Sequence, residues 1–459
     1  MSRLRLQFVA AAIFALTWIQ LSRLEPQKDS GVLPTDPPTP YLHYAATGDS
    51  RGRVLVVHGL DASKEPCEFI SAALADGGFE VFAIDLPGHG DSRVPFSTQL
   101  AQQAIRSTRT ALGDTTVVLG HSLGAGLLLD LAATDTFSTL VLLSPPPIAI
   151  SEIHAGRVLI ATGDIDIPRI QSFVPIATDI GGPHVESWLL PWGAHSSPIF
   201  NPRFVERIVD WLGGDGARTK TGSRIVLFVL MFGAAVVFGA GFLPKRPFET
   251  HPGSTSTILV YYVAAGSIAL FALRLFNPFR WLHFFATDYL IAFVFLAGIT
   301  LSIAALSGRR SFATLHRWHI GLLAAVFFIA IPGLAVSSRV LHLTLSGDRW
   351  WRFPCIAAAS LPLFFSDELL IRRIGPRWKS EGVAVLTRIL LVLFMITGTL
   401  TLNRESAFLL LILPLVAFFW IILWIAAGIV HRHTQSAMGA ALFAALVQGW
   451  AFAALFVTI

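Results

Sequence analysis

The stretch Gly120-His121-Ser122-Leu123-Gly124 has the pattern G-x-S-x-G and lies between a predicted strand and a predicted helix. The residues just before it are apolar and β-branched, and those just after it are small and apolar at helical spacing. Strand, sharp turn and helix is the context in which this pattern forms a nucleophile elbow. The turn strains the serine backbone and lifts its hydroxyl above the sheet edge, where the next N–H also points.

The composition of the chain separates it into two parts. Hydrophobic residues make up 54% of the 459 residues and charged residues only 14%, about half the usual charged share. Residues 26–223 resemble a soluble protein, whereas residues 224–459 are a succession of apolar runs. Arginines flank those runs, so the net charge of +5 indicates membrane topology and no nucleic-acid surface. Cys67 and Cys355 fall in different parts, which argues against an intramolecular disulfide.

The N-terminus has the pattern of a membrane anchor. Arg3 and Arg5 precede an apolar stretch, residues 6–21, and no small-residue cleavage site follows it. We therefore expect an uncleaved N-terminal transmembrane anchor at residues 1–25. Residues 26–40 contain five prolines, which exclude a regular helix and predict an extended linker.

A soluble domain is predicted at residues 41–213. Short continuous apolar runs alternate there with helical patterns, which indicates an α/β fold with a mostly parallel sheet covered by helices on both faces. A flexible polar linker, residues 214–223, follows it. Residues 224–459 then predict an all-helical transmembrane domain with about eight spans. The spans are expected near 224–243, 256–276, 282–306, 318–338, 353–371, 383–402, 406–430 and 437–458, the fifth being interrupted by Pro362.

Four motifs in the soluble domain carry a family resemblance. They are His58-Gly59 after the first buried strand, residues 85–92 with the pattern D-x-P-G-H-G-x-S, the G-x-S-x-G elbow, and residues 163–166 after a later strand. In this order and spacing the sequence resembles the α/β-hydrolase superfamily over about residues 40–213. Many members insert a cap domain before the acid strand. Only residues 144–156 fill that gap here, so no cap domain is expected.

The resemblance implies a catalytic triad in the chain order serine, acid, histidine. Ser122 is the expected nucleophile and His195, just after the last strand, the expected base. The family pattern G-x-x-D followed by a proline indicates Asp166 as the acid, and Asp164 stays the alternative. His154 and His184 are less suited as the base, because each precedes a strand.

The resemblance also implies the donors of an oxyanion hole. These are the backbone N–H groups of Leu60 and Leu123, which would stabilise the charge that develops during acyl transfer. Asp85 and His89 are expected to have a structural role and to hold the loop at residues 85–92 in place. His121, the variable position of the elbow, is expected only to fill space.

The membrane part contains acidic residues inside its apolar runs. Asp288 is expected to form an ion pair with Arg274 or Arg280 at the membrane interface. Residues 367–372 are similar to the first motif of CAAX-type intramembrane proteases, but no histidine is predicted inside a later helix. His431 and His433 are predicted in a loop, and the last apolar runs hold Gln448 and Trp450 where the family has histidines. Asp367 and Glu368 are predicted at a helix end on the membrane surface.

The predicted function is that of a membrane-anchored serine hydrolase that cleaves an ester through an acyl-enzyme. Its location at the lipid bilayer favours a lipid or another hydrophobic acyl ester. An acyltransferase with the same triad and a non-catalytic membrane scaffold or binding protein are the alternatives. No cofactor, metal or nucleic-acid partner is predicted, and the sequence does not indicate the oligomeric state.

The hydrolase domain is predicted on the non-cytoplasmic side of this multi-pass membrane protein. If Arg3 and Arg5 start inside, the cytoplasmic loops receive more Lys and Arg than the outer short loops do. Basic residues that flank the soluble domain nearly cancel this excess, so the opposite orientation stays the alternative. Alkaline phosphatase fused after Gly216 should be active, and fused after Lys379 it should be inactive. The reverse pattern of activities would place the hydrolase domain in the cytoplasm.

Overall fold

A computed structural model describes residues 3–113, 117–240, 254–307, 317–330, 342–372, 374–403 and 409–459. The chain divides into two compact units. Unit 1 comprises Met1–Gly241 with Ala335–His342, and unit 2 comprises Phe242–Leu334 with Leu343–Ile459. Unit 1 therefore contains the whole predicted soluble domain together with the helices on either side of it.

The soluble domain of unit 1 is built on one eight-stranded sheet. Its strands are β1 (Lys28–Leu33), β2 (Thr39–Tyr44), β3 (Arg53–Val57), β4 (Glu80–Ile84), β5 (Val117–His121), β6 (Phe137–Leu143), β7 (Ala155–Gly163) and β8 (Val185–Leu190). Their order across the sheet is β1-β2-β4-β3-β5-β6-β7-β8. Strands β3 to β8 are parallel, and β2 pairs antiparallel with both β1 and β4. The predicted fold class is confirmed.

The sheet begins inside the segment that was predicted to be a linker. β1 lies within residues 26–40 and pairs with β2 from Lys28 opposite Tyr44 to Leu33 opposite Thr39. The prediction was wrong because the prolines are not evenly spread. Three of them fall between the two strands, where no ladder N–H is needed, and residues 28–33 are free of proline and can pair.

Helices cover both faces of the sheet. They are α2 (Glu68–Asp76), α3 (Thr98–Leu112), α4 (Leu123–Leu131), α5 (Pro168–Gly181), α6 (Ser197–Phe200) and α7 (Pro202–Trp211). Val54 and Val56 of β3 pack in one core with α2 and α7, whereas Leu55 and Val57 pack in a second core with α3, α4 and α5. Successive residues of a strand point to opposite faces, so a strand buried on both faces must be apolar throughout.

The helices before and after the soluble domain meet it through one buried arginine. α1 (Arg3–Leu24) and α8 (Thr221–Ala240) pack against each other. Arg224 of α8 lies 2.8 Å from the carboxylate of Asp76 in α2, and its Nε donates to the carbonyl of Leu24 at 3.2 Å. Both charged side chains are buried. The pair therefore links the end of α1, the start of α8 and the soluble domain, and removing one partner would leave a buried charge unpaired.

Unit 2 consists of helices. They are α9 (Thr255–Leu275), α10 (Thr287–Ser307), α11 (Trp318–Phe328), α12 (Arg349–Leu370), α13 (Arg377–Thr401), α14 (Leu409–Thr434) and α15 (Ala437–Leu455). Seven described helices are long and apolar enough to cross a membrane, namely α1, α9, α10 and α12 to α15, and α11 is a shorter apolar helix. This is the pattern of a multi-pass membrane protein. The topology prediction counts the basic residues in the loops between spans. Several of them lie outside the described residues, namely Lys245, Arg246, Arg309, Arg310, Arg339, Arg373 and Arg404.

Pro362 does not interrupt the fifth predicted span. α12 continues through Pro354 and Pro362 to Leu370. The hydroxyls of Ser302 and Ser366 both donate to the carbonyl of Pro362, at 3.1 and 2.7 Å. Both hydroxyls hold the carbonyl of the proline itself, and a helix-breaking proline is tolerated in a membrane helix where neighbouring helices pack against it.

The acidic pair lies in the last turn of this helix, as predicted, and both side chains are buried inside unit 2. Asp367 pairs with Arg388 of α13 and accepts a hydrogen bond from the hydroxyl of Tyr262. Glu368 pairs with Arg372 at 2.7 Å and with Nδ1 of His431 at 2.6 Å. Tyr262, Arg388 and His431 lie on helices distant in sequence, so the apolar pattern alone did not reveal these partners.

Two further details of the membrane part differ from the prediction. His431 and His433 lie in α14, which extends to Thr434, and not in a loop. Asp288 accepts hydrogen bonds from the side chain of Asn277 and from the N–H of Tyr289. Among the described residues it forms no ion pair with either predicted arginine. A carboxylate at a helix start can be satisfied by N–H groups alone.

Candidate active site

Ser122 occupies a strained turn between β5 and α4. Its backbone has φ +52° and ψ −115°, a conformation that residues other than glycine rarely adopt. Its N–H donates to the carbonyl of Leu143 in the neighbouring strand β6 at 2.8 Å. The predicted elbow geometry is therefore present, with the serine at the carboxyl end of a central strand.

Glycines on both sides of the serine allow the strand and the helix to approach. A Cβ added to Gly120 would lie 2.6 Å from the backbone nitrogen of Ala125. A Cβ added to Gly124 would overlap the carbonyl oxygen of Val57 in β3. Any other residue at either position would force the backbone apart, so the two glycines are steric requirements of the turn.

His195 lies within hydrogen-bonding distance of the serine. Its Nε2 is 2.9 Å from Oγ of Ser122. Its Nδ1 is 2.9 and 3.1 Å from the two carboxylate oxygens of Asp166. A carboxylate accepts hydrogen bonds, so Nδ1 carries the proton and Nε2 is left to accept the proton of the serine hydroxyl. The structure thus brings Ser122, His195 and Asp166 together from three separate loops.

The carboxylate of Asp166 is buried and fully hydrogen-bonded. Besides His195 it accepts from the hydroxyl of Thr162 at 2.7 Å and from the N–H of Ile167 at 2.6 Å. Burial by itself would raise the pKa of Asp166, but these hydrogen bonds outweigh burial and lower the pKa below its usual value. Asp166 is therefore ionised at neutral pH and can stabilise a positive charge on His195.

Asp164 has a different position. Its side chain is exposed, and its Oδ1 accepts a hydrogen bond from the N–H of Gly193 at 3.1 Å. This contact ties the loop after β7 to the loop that carries His195. Asp166, and not Asp164, is the carboxylate that contacts the histidine.

The turn after β3 lies against the serine. A Cβ added to Gly59 would be 3.1 Å from Cβ of Ser122, so the backbone that leads to Leu60 passes close to the nucleophile. Leu123 is the first residue of α4, where backbone N–H groups have no partner within the helix. Within the described part of the chain, no acceptor is found for the N–H of Leu60 or Leu123. Both are available as oxyanion donors.

Buried polar residues hold this turn in place. Nδ1 of His58 contacts the carbonyl of Gly59 at 2.7 Å, and its Nε2 accepts from the N–H of Leu86 at 3.1 Å. Burial lowers the pKa of His58, so the ring is neutral and can accept as well as donate. Asp85 accepts from the backbone and the ammonium of Lys64 at 2.8 and 2.6 Å. The D-x-P-G-H-G-x-S loop therefore supports the turn next to Ser122.

A cluster of possible metal ligands lies in the same unit, outside the triad. Glu65, Asp91 and His342 each place a ligand atom within 4.8 Å of the others, and this is the one such group among the described residues. However, the ammonium of Lys64 lies 2.7 Å from Asp91 and 3.2 Å from Glu65. Burial by itself would lower the pKa of Lys64, but the carboxylates of Asp85, Glu65 and Asp91 raise it well above its usual value. The lysine thus supplies the positive charge at this position.

Three polar residues next to the triad were missed or misjudged by the sequence analysis. Ser144 and His121 both contact the backbone carbonyl of His195, and Thr162 donates to Asp166. Each lies at or near the carboxyl end of a strand. That position is the only signal that sequence offers, and many strand ends carry a serine or a threonine without such a contact.

Comparison with known proteins agrees with this geometry. Residues 54–263 match the model of the "Alpha/beta hydrolase family". This part of the chain belongs to the α/β-hydrolase family. The chain is accordingly an α/β-hydrolase enzyme. The loop between β6 and β7 is short and contains no helix, so this hydrolase domain has no cap over its site.

Several solved structures are similar to the hydrolase domain. The serine hydrolase CarC of carbazole degradation is 14% identical, with a TM-score of 0.35 over 41% of this chain and 99% of its own. A Paleococcus ferrophilus monoacylglycerol lipase is 18% identical, with a TM-score of 0.34 over 41% and 99%. A bacterial membrane phospholipase A is 16% identical, with a TM-score of 0.37 over 45% and 92%. No curated protein matches the sequence. At these identities the substrates of the three proteins do not transfer to this chain.

The two aspartates of the acid loop should differ sharply when substituted. We expect Asp166→Asn to lower kcat by up to about 10⁴-fold, because an amide leaves the imidazole in the wrong tautomer. Asp164→Asn should change kcat by less than about threefold, because an amide oxygen can still accept from Gly193. Turnover of a p-nitrophenyl ester by the two purified variants measures both effects. The opposite ranking would assign the acid role to Asp164.

Proposed function

We propose that this chain is a membrane-anchored serine hydrolase that cleaves an ester of a hydrophobic acyl group. The observation that carries the proposal is the continuous contact from Ser122 Oγ to His195 Nε2 at 2.9 Å and from His195 Nδ1 to Asp166 at 2.9 Å. A serine hydroxyl becomes a useful nucleophile only when a base takes its proton and a third group orients that base. Sequence order, geometry and family all agree with this assignment.

The first half of the reaction forms an acyl-enzyme. His195 Nε2 accepts the proton of Ser122 while Oγ attacks the ester carbonyl carbon. The carbonyl oxygen becomes an oxyanion, which the N–H groups of Leu60 and Leu123 stabilise by about 3 kcal/mol each. Asp166 stabilises the imidazolium that forms. His195 then gives its proton to the alcohol oxygen, the carbon–oxygen bond to the alcohol breaks, and the acyl group stays on Ser122.

The second half returns the enzyme to its starting state. Water takes the place of the alcohol, and His195 Nε2 accepts one of its protons as the oxygen attacks the acyl carbon. The same two N–H groups stabilise the second oxyanion. Its collapse breaks the bond to Ser122, which regains a proton from His195, and the carboxylic acid leaves.

The surroundings of the site favour a hydrophobic acyl group. Ile165, Leu189 and Trp192 are 61, 59 and 86% exposed. Ile165 precedes Asp166, and the other two lie at the end of β8 and in the loop that leads to His195. Without a cap domain, these apolar side chains are available to an acyl chain that extends from the carbonyl. The seven span-length helices support a location at a bilayer, where such esters are abundant.

Substitution of the nucleophile tests the proposed function. Ser122→Ala should abolish hydrolysis of p-nitrophenyl esters and labelling by a fluorophosphonate, because Ser122 carries the one hydroxyl among the described residues that contacts Nε2 of His195. Ser172→Ala, which alters a hydroxyl on the exposed side of α5, is the matched control and should retain both activities. A Ser122→Ala protein that is labelled like the wild type would refute the nucleophile assignment, and an unlabelled wild type would favour the scaffold alternative.

Trp192 provides a test of the substrate class. Full burial of a large apolar side chain contributes about 1.5–3 kcal/mol, so Trp192→Ala should lower kcat/KM for a dodecanoyl ester by about 10-fold or more. Turnover of an acetyl ester, which lacks the long acyl chain, should stay within about twofold. Ile176→Ala, which alters an exposed apolar side chain on α5, is the control and should leave kcat/KM unchanged for both esters. An equal loss for both chain lengths would argue against an acyl-chain contact.

A further inference from the structure

We infer that His121 and Ser144 are positioning residues that hold the backbone carbonyl of His195 and thereby orient its ring between Ser122 and Asp166. The inference rests on the proposed function, because it assigns the two residues a part in the same reaction. It goes beyond the triad and the oxyanion donors, and it gives His121 a role where the sequence indicated only a space-filling residue.

His121 contacts the carbonyl of the catalytic histidine. Its Nε2 lies 3.2 Å from the backbone oxygen of His195, and its side chain is buried. A carbonyl oxygen can only accept, so this Nε2 must carry a hydrogen. Burial lowers the pKa of His121 to about 4, so at neutral pH the ring carries one proton and that proton is on Nε2. His121 is thus a neutral donor, set in place by β5 directly before the nucleophile.

Ser144 supplies a second donor to the same oxygen. It is the first residue after β6, is fully buried, and has the left-handed φ of +49°. Its Oγ lies 2.8 Å from the carbonyl of His195. A carbonyl oxygen has two lone pairs, and here one donor from β5 and one from the end of β6 use them. The His195 backbone is therefore tied to the two strands that lie beneath the active site.

The contacts around the His195 carbonyl extend to Asp166. Oγ of Ser144 lies 3.3 Å from Oγ1 of Thr162, which donates its hydrogen to Asp166 at 2.7 Å. Each hydroxyl has a single hydrogen, and those hydrogens are directed to His195 and to Asp166. Ser144 and Thr162 therefore pack against each other while each holds one member of the triad. The relative positions of Asp166 and His195 are set by contacts that lie outside the triad.

Such anchoring matters because His195 lies on a loop. Two ring contacts orient the imidazole, but they do not stop the backbone from shifting along the sheet edge. A misplacement of about 1 Å at a reacting group can cost about 10²-fold in rate. Removal of one carbonyl donor should therefore lower the rate of the chemical steps and leave the binding of the ester unchanged.

The test compares variants that remove or keep the donor. His121→Leu should lower kcat by about 10- to 100-fold with KM within about twofold, whereas His121→Gln, whose amide can still donate, should lose less than about fivefold. Ser144→Ala should behave like His121→Leu. The rate of fluorophosphonate labelling should fall in parallel, because it depends on the same activation of Ser122. Ser71→Ala, a fully buried serine of α2, is the control for loss of a buried hydroxyl and should keep the wild-type kcat.

The outcomes separate this inference from the proposed function. All rates are expressed per active site by titration with the fluorophosphonate, and melting temperatures are measured for each variant. If hydrolysis depends on Ser122 but His121→Leu and Ser144→Ala keep wild-type kcat, only the positioning inference is overturned. An equal loss in His121→Leu and His121→Gln would also overturn it for His121. If His121→Leu fails to fold, the kcat values of Ser144→Ala and His121→Gln test the positioning inference without it.

Discussion

Around Ser122 the backbone passes from β5 into α4 so tightly that neither Gly120 nor Gly124 has space for a Cβ. The serine itself adopts φ +52°, and the packing of the strands on both sides stabilises this strained conformation. The same turn brings the backbone at Gly59 close to Cβ of Ser122. The proposed nucleophile and the turn that leads to Leu60 therefore depend on one steric constraint, and the rest of the candidate site is arranged around it.

The parallel sheet extends this constraint to the other groups. Since parallel strands end at the same edge, the loops after β5, β7 and β8 bring Ser122, Asp166 and His195 together although the chain separates them by tens of residues. Short hydrogen bonds among strand ends then set the fine geometry. Ser144 and Thr162 have no chemistry of their own, yet they hold the carbonyl of the base and the carboxylate of the acid.

The helical unit also contains buried charged pairs. Asp367 with Arg388, and Glu368 with Arg372 and His431, lie inside the helical unit and satisfy one another. Breaking a buried pair of this kind costs about 3–5 kcal/mol, since one uncompensated charge remains. Such pairs fix which helices face each other, which apolar packing alone does only weakly between lipid-like surfaces.

Local pattern by itself determined the fold class, the elbow at Ser122, the candidates for acid and base, and the division into a soluble and a membrane part. These depend on periodicity, turn chemistry and chain order, which the sequence shows without knowledge of how the elements pack. Only the tertiary structure decided that β1 belongs to the sheet, that Asp166 and not Asp164 meets His195, and that His431 reaches Glu368. It also decided that His121 and Ser144 share one carbonyl. Apart from the pairing of β1 with β2, each of these joins residues far apart in the chain, and such contacts depend on the packing of whole elements against one another.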